Sequence, residues 1–443
     1  MKILSYSAEN KPLIKGVISR NASNFENALS TAGDIMNDVR VNGDPALFNY
    51  TKKFDNFNLN SGNLRVSGEE IESAFNKIKI HNRKLFDALT HAHRNIKRYH
   101  EAQFENVNKN LSVETDDGII ITEKINAIES VGCYVPGGRA AYPSTVLMTA
   151  VPAKVAGVSR IVIVSPPEIS DVILAAARIC GVSEVYRLGG AQAVAALSFG
   201  TKTITPVNKI VGPGNVYVMA AKMLAYSKGV GIDMPAGPSE VLLIADKNSN
   251  PRFIAADVLA QAEHDPDAHC VVVVDTESGG GENGVEIQNF LNNIKTEIDS
   301  QIKDLSRKSI IESSLKNFAV ILTKNLDEAV KFANDYAPEH LEIMCGNPEL
   351  AAEKIKNAGA IFIGDYAPVP AGDYASGGNH VLPTSGTAKF ASVLSVRDFL
   401  KFSSVQRITK NGLSKIRESV EILAETEGLD AHKKSIEVRF ELK

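Results

Sequence analysis

The first 130 residues carry apolar side chains at the spacing of helices, with polar positions between them. From 25 to 39 the apolar residues recur every three or four positions, and this period predicts a helix with one buried face. Capping boxes at 23–26 and 67–70, in which Ser is followed three residues later by Glu, predict where two helices begin. The chain is therefore predicted to open with a helical region.

From about residue 118 the pattern changes to short β-branched runs that alternate with helical stretches. Such alternation is typical of parallel α/β units. The apolar runs predict strands at 160–165, 184–188, 209–211, 241–244, 271–274, 318–322 and 360–363. Beyond about residue 385 the chain becomes helical and charged, and the alternation at 435–442 predicts an edge strand.

The composition is that of an ordinary globular protein. The chain has 443 residues, more than a single core usually holds, so we expect at least two domains. A net charge of -4 gives no electrostatic case for nucleic acid or an anionic membrane. Because the first residues lack an apolar leader and later apolar runs are short or interrupted, we expect a cytoplasmic protein without membrane insertion. The four widely spaced cysteines are predicted to be buried thiols.

Three glycine-rich loops lie in the middle of the chain, at 134–138, 188–192 and 211–215. In open α/β sheets the ligand crevice lies beyond the carboxyl ends of the strands, where glycine permits tight turns. The loops favour a nucleotide site, although Tyr217 stands where a dinucleotide fingerprint needs its third glycine. Ordinary turn chemistry explains each loop by itself about as well as NAD binding does.

Gln261 and His264 stand three residues apart at the predicted C-terminal end of a helix. This spacing puts both side chains on one face, so they could converge on one cation, whereas a solvent-exposed helix end explains the pair equally simply. Four further histidines outside the N-terminal region also lie in polar contexts: His269, His340, His380 and His432. Together these residues favour a shared metal site over five unrelated surface histidines.

Several motifs, in the same order along the chain, resemble those of the histidinol dehydrogenase family. They are Gly-Gly-Ala-Gln at 189–192, Ile-Val-Gly-Pro-Gly-Asn at 210–215, Gly-Pro-Ser-Glu at 237–240, Gln-Ala-Glu-His at 261–264, Pro-Glu-His at 338–340 and the segment 372–384. The likeness covers essentially the whole chain. It implies a zinc- and NAD-dependent enzyme that oxidises L-histidinol through L-histidinaldehyde to L-histidine, in the last steps of histidine biosynthesis.

The resemblance also implies roles for individual residues. The zinc ligands would be Gln261, His264, Asp373 and His432, and the catalytic acid/base pair would be Glu339 and His340. The substrate contacts would include Ser239, Gln261, His264, His340, Asp373, Glu427 and His432. The NAD contacts would be Tyr134, Gln192 and Asn215.

The fold implied by the resemblance consists of two incomplete Rossmann-like parallel α/β domains with a helical N-terminal region and a small C-terminal tail domain. The divisions would be an N-terminal arm at 1–24, a larger domain at 25–130 plus 239–394 with most metal ligands, an inserted NAD-binding domain at 131–238, and the tail at 395–443. Similar proteins are intertwined homodimers that exchange this tail. Glu427 and His432 would then complete the active site of the other subunit.

The implied ligand set suits a metal that binds substrate. Four ligands with no thiolate and one carboxylate leave zinc a residual charge of about +1, so it can take the imidazole and amine nitrogens of histidinol. His340 would accept the hydroxyl proton, and Glu339 would activate the water that hydrates the aldehyde. These adjacent side chains can divide the work only if 338–340 is not a regular strand.

Two other functions compete with the dehydrogenase. A zinc hydrolase that uses His264, Asp373 and Glu339 on an ester or amide predicts metal-dependent turnover without NAD. A non-catalytic metal or nucleotide sensor predicts binding without turnover of histidinol.

Overall fold

The computed structural model of the protein describes residues 2–19, 25–109, 111–137, 141–234 and 237–441. The helices are α1 (Lys11–Ser19), α2 (Phe25–Asn42), α3 (Asp44–Asp55), α4 (Gly68–His81), α5 (Arg83–Val107), α6 (Pro143–Ala156), α7 (Asp171–Ile179), α8 (Gly190–Phe199), α9 (Val216–Tyr226), α10 (Pro251–Ala262), α11 (Val285–Gln301), α12 (Lys308–Ser314), α13 (Leu326–Tyr336), α14 (Pro348–Lys354), α15 (Val369–Tyr374), α16 (Lys410–Thr426) and α17 (Asp430–Glu441). The strands are β1 (Lys2–Ser5), β2 (Ser112–Asp116), β3 (Ile119–Ala127), β4 (Ser130–Tyr134), β5 (Arg160–Ser165), β6 (Glu184–Arg187), β7 (Lys209–Val211), β8 (Gly231–Ile232), β9 (Glu240–Asp246), β10 (His269–Asp275), β11 (Ala319–Thr323), β12 (His340–Ile343), β13 (Ala360–Ile363) and β14 (Leu400–Ile408).

A six-stranded sheet, in the order β1-β11-β10-β9-β12-β13, is parallel throughout. Strands β9 and β11 are buried along their whole length and are mostly apolar on both faces, as expected for a parallel sheet that is covered on both sides. Strand β12 is equally buried but contains His340 and Glu342. From β9 the chain moves outward to β10 and β11 on one side, and later to β12 and β13 on the other. The strand order therefore reverses between β9 and β12.

A five-stranded sheet, in the order β6-β5-β4-β7-β8, is also parallel. Its strand order reverses between β4 and β7, so it repeats the arrangement of the six-stranded sheet. The prediction of a parallel α/β fold is confirmed. Every strand predicted from an apolar run is present, with ends within two residues of the predicted ones.

The N-terminal helices pack against the helices of the five-stranded sheet. Helix α2 lies on α8 and α9, α4 lies on α7, and α5 lies on α6. The buried face of α2 contains the apolar residues whose period predicted it. This packing departs from the predicted division, which grouped 25–130 with the larger domain, and the boundaries of that division stay a prediction.

The predicted helix starts are confirmed in part. Ser67 and Glu70 form the predicted capping box at the start of α4. The capping box predicted at 23–26 begins outside the described residues.

In the described part of the chain, no helix is both long enough and apolar enough to cross a membrane.

Strand β14 of the C-terminal segment forms a third, antiparallel sheet with β3 and β2, in the order β14-β3-β2, and is followed by α16 and α17. The edge strand predicted at 435–442 is wrong, because α17 runs through this segment as a helix. Its alternating apolar residues include Ile436 and Phe440, which are four apart and so share a helix face. Phe440 lies under the guanidinium of Arg417 in α16, and this contact favours the helix.

Candidate active site

Polar side chains gather at the amino ends of β9 and β12, where the strand order of the six-stranded sheet reverses. Glu240 begins β9, and His340 begins β12 opposite Val241. Glu339 lies in a bend just before β12, so its side chain is not forced to the face opposite His340. The condition for the two residues to share one site is therefore met, with Glu339 Oε2 lying 3.5 Å from His340 Nδ1.

A chain of hydrogen bonds joins Gln261 to Glu339. Gln261 Nε2 donates to Ser239 Oγ at 2.7 Å, and Ser239 Oγ donates to Glu339 Oε2 at 2.7 Å. The same Glu339 oxygen accepts from the backbone nitrogen of Glu240 at 2.7 Å. Two donors on one buried oxygen fix the orientation of the carboxylate.

Gln261 has a buried oxygen without a described partner. The side chain is 2% exposed, and Oε1 makes no hydrogen bond although Nε2 does. Buried polar atoms are nearly always bonded, so an unpaired carbonyl oxygen points to a ligand that the chain does not supply. Gln261 lies in the last turn of α10, and His264 follows the end of that helix, as the sequence predicted.

His340 is placed between two carboxylates. Its Nδ1 donates to the backbone oxygen of Glu240 at 3.0 Å, and its Nε2 lies 3.6 Å from Asp373 Oδ1, too far for a hydrogen bond. Burial works against protonation of the imidazole. The negative charges of Glu339 and Asp373 outweigh it and hold the pKa of His340 well above its ordinary value.

Asp373, on α15, lies among three histidines. Burial by itself would raise the pKa of Asp373, but His340, His380 and His264 lower it below its ordinary value. His380 Nδ1 also donates to the Asp373 carbonyl at 3.0 Å, and burial lowers the pKa of His380. The Nε2 atom of His380 forms a hydrogen bond of 3.4 Å with Thr145 Oγ1 of α6. This contact brings a helix of the five-stranded sheet to the site.

The residues predicted to contact NAD lie on the loops after β4, β6 and β7. Tyr134 ends β4, next to the point where the five-stranded order reverses, and its hydroxyl accepts from the Gly190 nitrogen at 3.0 Å. Gln192, in the first turn of α8, is 1% exposed and its Oε1 has no described partner. Asn215 caps α9 by accepting from the nitrogens of Tyr217 and Val218. Tyr217, which replaces the third fingerprint glycine, lies at the start of α9 with its side chain exposed.

Two of the predicted site residues lie elsewhere. Glu427 ends α16 and His432 lies in α17, and both side chains are exposed on the tail. Within the described ranges, no three His, Cys, Asp or Glu side chains are grouped so as to hold a metal ion. His264 lies close enough to Asp373 for its charge to lower the Asp373 pKa, and Gln261 is linked through Ser239 to the row of side chains that ends at Asp373. His432 lies apart from them on the tail.

Some features of the site were not predicted. Glu240 binds the backbone nitrogens of Glu339 and Ser385 through Oε1, and its position in Gly-Pro-Ser-Glu was the available signal. His269 begins β10 opposite Glu240.

The cysteines are buried and free, as predicted, and burial raises the pKa of Cys133 to about 12.

Comparison with known proteins agrees with this arrangement. The sequence profile of the family described as histidinol dehydrogenase matches residues 18–440. The chain belongs to the histidinol dehydrogenase family. It is 46% identical to the histidinol dehydrogenase of Methanococcus maripaludis, over 99% of this chain and 100% of that protein. It is 42% identical to that of Lactococcus lactis, over 100% of this chain and 99% of that protein.

The fold agrees equally well with a solved member of the family. The crystal structure of histidinol dehydrogenase from Elizabethkingia anophelis matches with a TM-score of 0.89 and 38% identity, covering 100% of this chain and 98% of that one. The resemblance seen in the sequence motifs is confirmed. The protein is an oxidoreductase of the histidinol dehydrogenase family.

Proposed function

We propose that the protein oxidises L-histidinol through L-histidinaldehyde to L-histidine in the cytoplasm, with two NAD+ as acceptors and zinc as its resident metal. These are the last steps of histidine biosynthesis. The observation that carries the proposal is the connected row Gln261, Ser239, Glu339, His340 and Asp373, which lies in a chain of this family. The row combines a metal donor with groups that can accept protons.

The residues present fit a zinc ion. Gln261 Oε1 is buried and unpaired, Asp373 supplies one carboxylate, and His264 lies close enough for its charge to lower the Asp373 pKa. An amide, an imidazole and a carboxylate are ligands that zinc accepts. When bound, zinc would orient the imidazole and amine nitrogens of histidinol.

His340 is the proposed base for the hydroxyl proton in both hydride transfers. Its Nδ1 is bonded to the Glu240 carbonyl, so Nε2 is the nitrogen that faces the substrate space beside Asp373. The raised pKa of His340 depends partly on Asp373. Once Asp373 is engaged by another positive charge, we expect the pKa of His340 to fall toward the neutral range that a general base needs.

Glu339 is the proposed base for hydration of the aldehyde. Its Oε2 is held by Ser239 and the Glu240 nitrogen, which leaves Oε1 as the oxygen that can take a proton from water. Addition of water to the aldehyde carbon gives a hydrate with a carbon-bound hydrogen and a hydroxyl proton. A second NAD+, when bound, would supply the acceptor for this hydride, and the product would be the carboxylic acid.

The five-stranded sheet fits a dinucleotide. Its strand order reverses between β4 and β7, and ligands of open α/β sheets bind at such a crevice. Tyr134 lies at the same edge of this sheet, and its hydroxyl is bonded to Gly190, which has a positive φ angle. Gln192, whose Oε1 has no described partner, follows two residues after Gly190. When bound there, NAD+ supplies the hydride acceptor for each oxidation.

We further propose a homodimer that exchanges its tail. Glu427 and His432, the remaining proposed substrate and metal contacts, are exposed on α16 and α17. Large apolar side chains are also exposed on the tail, including Phe402, Val405 and Leu423. A second copy of the chain would cover this surface and receive the two polar residues in its own site.

An assay of NADH formation tests the proposed function. Protein loaded with Zn²⁺ should form two NADH for each L-histidinol, and a chelator should abolish the reaction until Zn²⁺ is restored. Loaded protein that forms no NADH would contradict the proposal. Ester hydrolysis without NAD would instead support a hydrolase, and histidinol binding without turnover would support a sensor.

A further inference from the structure

A buried ion pair lies beneath the loop that follows β7. Lys222 of α9 and Asp233, the residue after β8, pair with side chains that are 4% and 1% exposed. Removing two charges from water is costly unless each makes further hydrogen bonds. Both partners find such bonds on the backbone of a single residue, Gly212.

The two charges bond to the two backbone groups of Gly212. The Gly212 nitrogen donates to Asp233 Oδ2 at 2.7 Å, and Lys222 Nζ donates to the Gly212 oxygen at 2.9 Å. One glycine is thus held at both its amide and its carbonyl. Because hydrogen bonds to charged groups are stronger than neutral ones, the conformation of this residue is strongly restrained.

Gly212 lies where the two halves of the five-stranded sheet meet. Its φ angle is +112°, and a Cβ atom at this position would lie 2.3 Å from the Tyr134 carbonyl oxygen. Only glycine therefore fits against the end of β4. The ion pair fixes the loop 212–215 across the point of strand reversal, with Tyr134 on one side and Asn215 on the other.

We propose that Lys222 and Asp233 are positioning residues that hold the loop 212–215 ready for NAD+. The inference rests on the proposed NAD site. A Gly-Pro-Gly-Asn loop without such restraint would lose conformational freedom when the dinucleotide binds, and this loss would weaken binding. The ion pair imposes the bound geometry in advance.

The geometry of the pair favours a positioning role, because both charges bond to the backbone of Gly212. A role in stability alone would not require both charges to converge on one glycine, and buried ion pairs are weak evidence for stability.

The test removes both charges together. The double variant Lys222→Met with Asp233→Leu leaves no unpaired charge in the core, so we expect it to fold. Its Kd for NAD+, measured by calorimetry, should rise about tenfold, with the KM for NAD+ rising in parallel and the KM for histidinol changing less than about twofold. Hydrogen exchange of the loop amides at 212–215 should become faster.

Lys209→Met is the matched control. Lys209 lies at the other end of β7, where its ammonium group donates to the Asp398 carbonyl oxygen at 2.7 Å. Like the test variant, it removes a lysine that pairs with an aspartate, but it leaves the loop 212–215 unchanged. Its Kd for NAD+ should stay within about twofold of wild type, because no loop restraint is lost.

The outcomes separate this inference from the proposed function. Wild-type protein that binds no NAD+ would contradict the proposed function. Wild-type protein that binds NAD+ and a double variant that binds it equally well would overturn the inference. If this double variant does not fold, the more conservative double variant Lys222→Gln with Asp233→Asn, which also leaves no unpaired charge, decides in the same way: wild-type affinity overturns the inference, and weakened affinity with a faster-exchanging loop supports it.

Discussion

At the scale of the residue, the hydrogen bonds around Glu339 restrict which of its two carboxylate oxygens can act as a base. One carboxylate oxygen accepts from Ser239 and from the backbone of Glu240, while His340 lies beside it. The bonded oxygen cannot easily take up a further proton, so the other one remains for catalysis. A base held in this way suits the addition of water to an aldehyde better than the first hydride transfer.

Glu339→Gln should therefore affect the two oxidations unequally. The amide cannot accept a proton from water, so oxidation of L-histidinaldehyde should slow by about 100-fold or more, while oxidation of L-histidinol should slow much less. The two half-reactions are measured separately by NADH formation from each compound. Loss of the same size in both would contradict the division of work between Glu339 and His340.

Sequence reasoning at this scale could name residue types and spacing but not hydrogen-bond partners. Nothing in the spacing shows that Gln261 donates to Ser239 through one atom and leaves the other unpaired. The distinction arises because the chain folds back between Ser239 and Gln261, which are 22 positions apart, and places Ser239 beside the end of α10. Such contacts depend on the backbone path, which local periodicity does not determine.

At the scale of the element, a pair of buried carboxyl groups joins the parts of the site. Asp257 lies on α10 one turn before Gln261, and Glu342 lies on β12 two residues after His340. Glu342 Oε1 also accepts from the nitrogen of Val369 at 2.7 Å, at the start of the helix that carries Asp373. The pair therefore connects the three elements that carry the proposed metal donors and the proposed base.

Burial and mutual repulsion favour protonation of this carboxyl pair in the folded protein. Burial raises the pKa of Glu342 to about 8, with Asp257 adding to the effect, and burial raises the pKa of Asp257 to about 6. Both values lie above those of the unfolded chain, so the folded protein binds more protons than the unfolded one between about pH 4 and pH 8. The stability that the pair contributes is thus present at low pH and is lost as the pH rises through this window.

Glu342→Gln should flatten this pH dependence. The Tm of metal-free wild-type protein should fall more between about pH 5 and pH 9 than the Tm of the variant, because the amide has no proton to lose. The control is Glu349→Gln, whose side chain is exposed in the first turn of α14 and should keep the wild-type slope. A variant whose Tm falls as steeply as that of wild type would show that Glu342 is not protonated in the folded state.

The strand β12 was not predicted, and its composition explains why. It reads His-Leu-Glu-Ile, so two of its four residues are ionisable although all four are buried. A run of this kind lacks the apolar signal that identified β10 and β11. Only its position between β9 and β13 makes it a strand, and the sheet places its polar residues next to partners from α10 and α15.

At the scale of the whole molecule, the position of His432 bears on the oligomeric state. His432 is exposed on α17, while Gln261, His264 and Asp373 lie at the six-stranded sheet. A complete ligand set would therefore require the tail of another copy. The proposed exchange predicts that each active site contains residues from two subunits.

Complementation between two inactive variants tests the exchange. His264→Ala and His432→Ala should each be inactive alone, whereas their co-expressed mixture should show about a quarter of wild-type activity, because half of the randomly paired dimers are mixed and each has one intact site of two. Separate purification of the two variants provides the baseline. No recovery from a confirmed mixed dimer would mean that both histidines act within one chain.

The sequence by itself determined the α/β class, half of the described strands, the start of α4 and the family, because apolar periodicity, capping boxes and short motifs are local signals. It also indicated which residue types carry chemistry. Tertiary structure decided how these residues meet: Glu339 beside Ser239, Asp257 beside Glu342, and Lys222 with Asp233 around Gly212. The first two pairs join distant parts of the chain, and the third joins a helix, a strand end and a loop of one sheet. A buried charge is costly, so it is stable only where the fold supplies its partner.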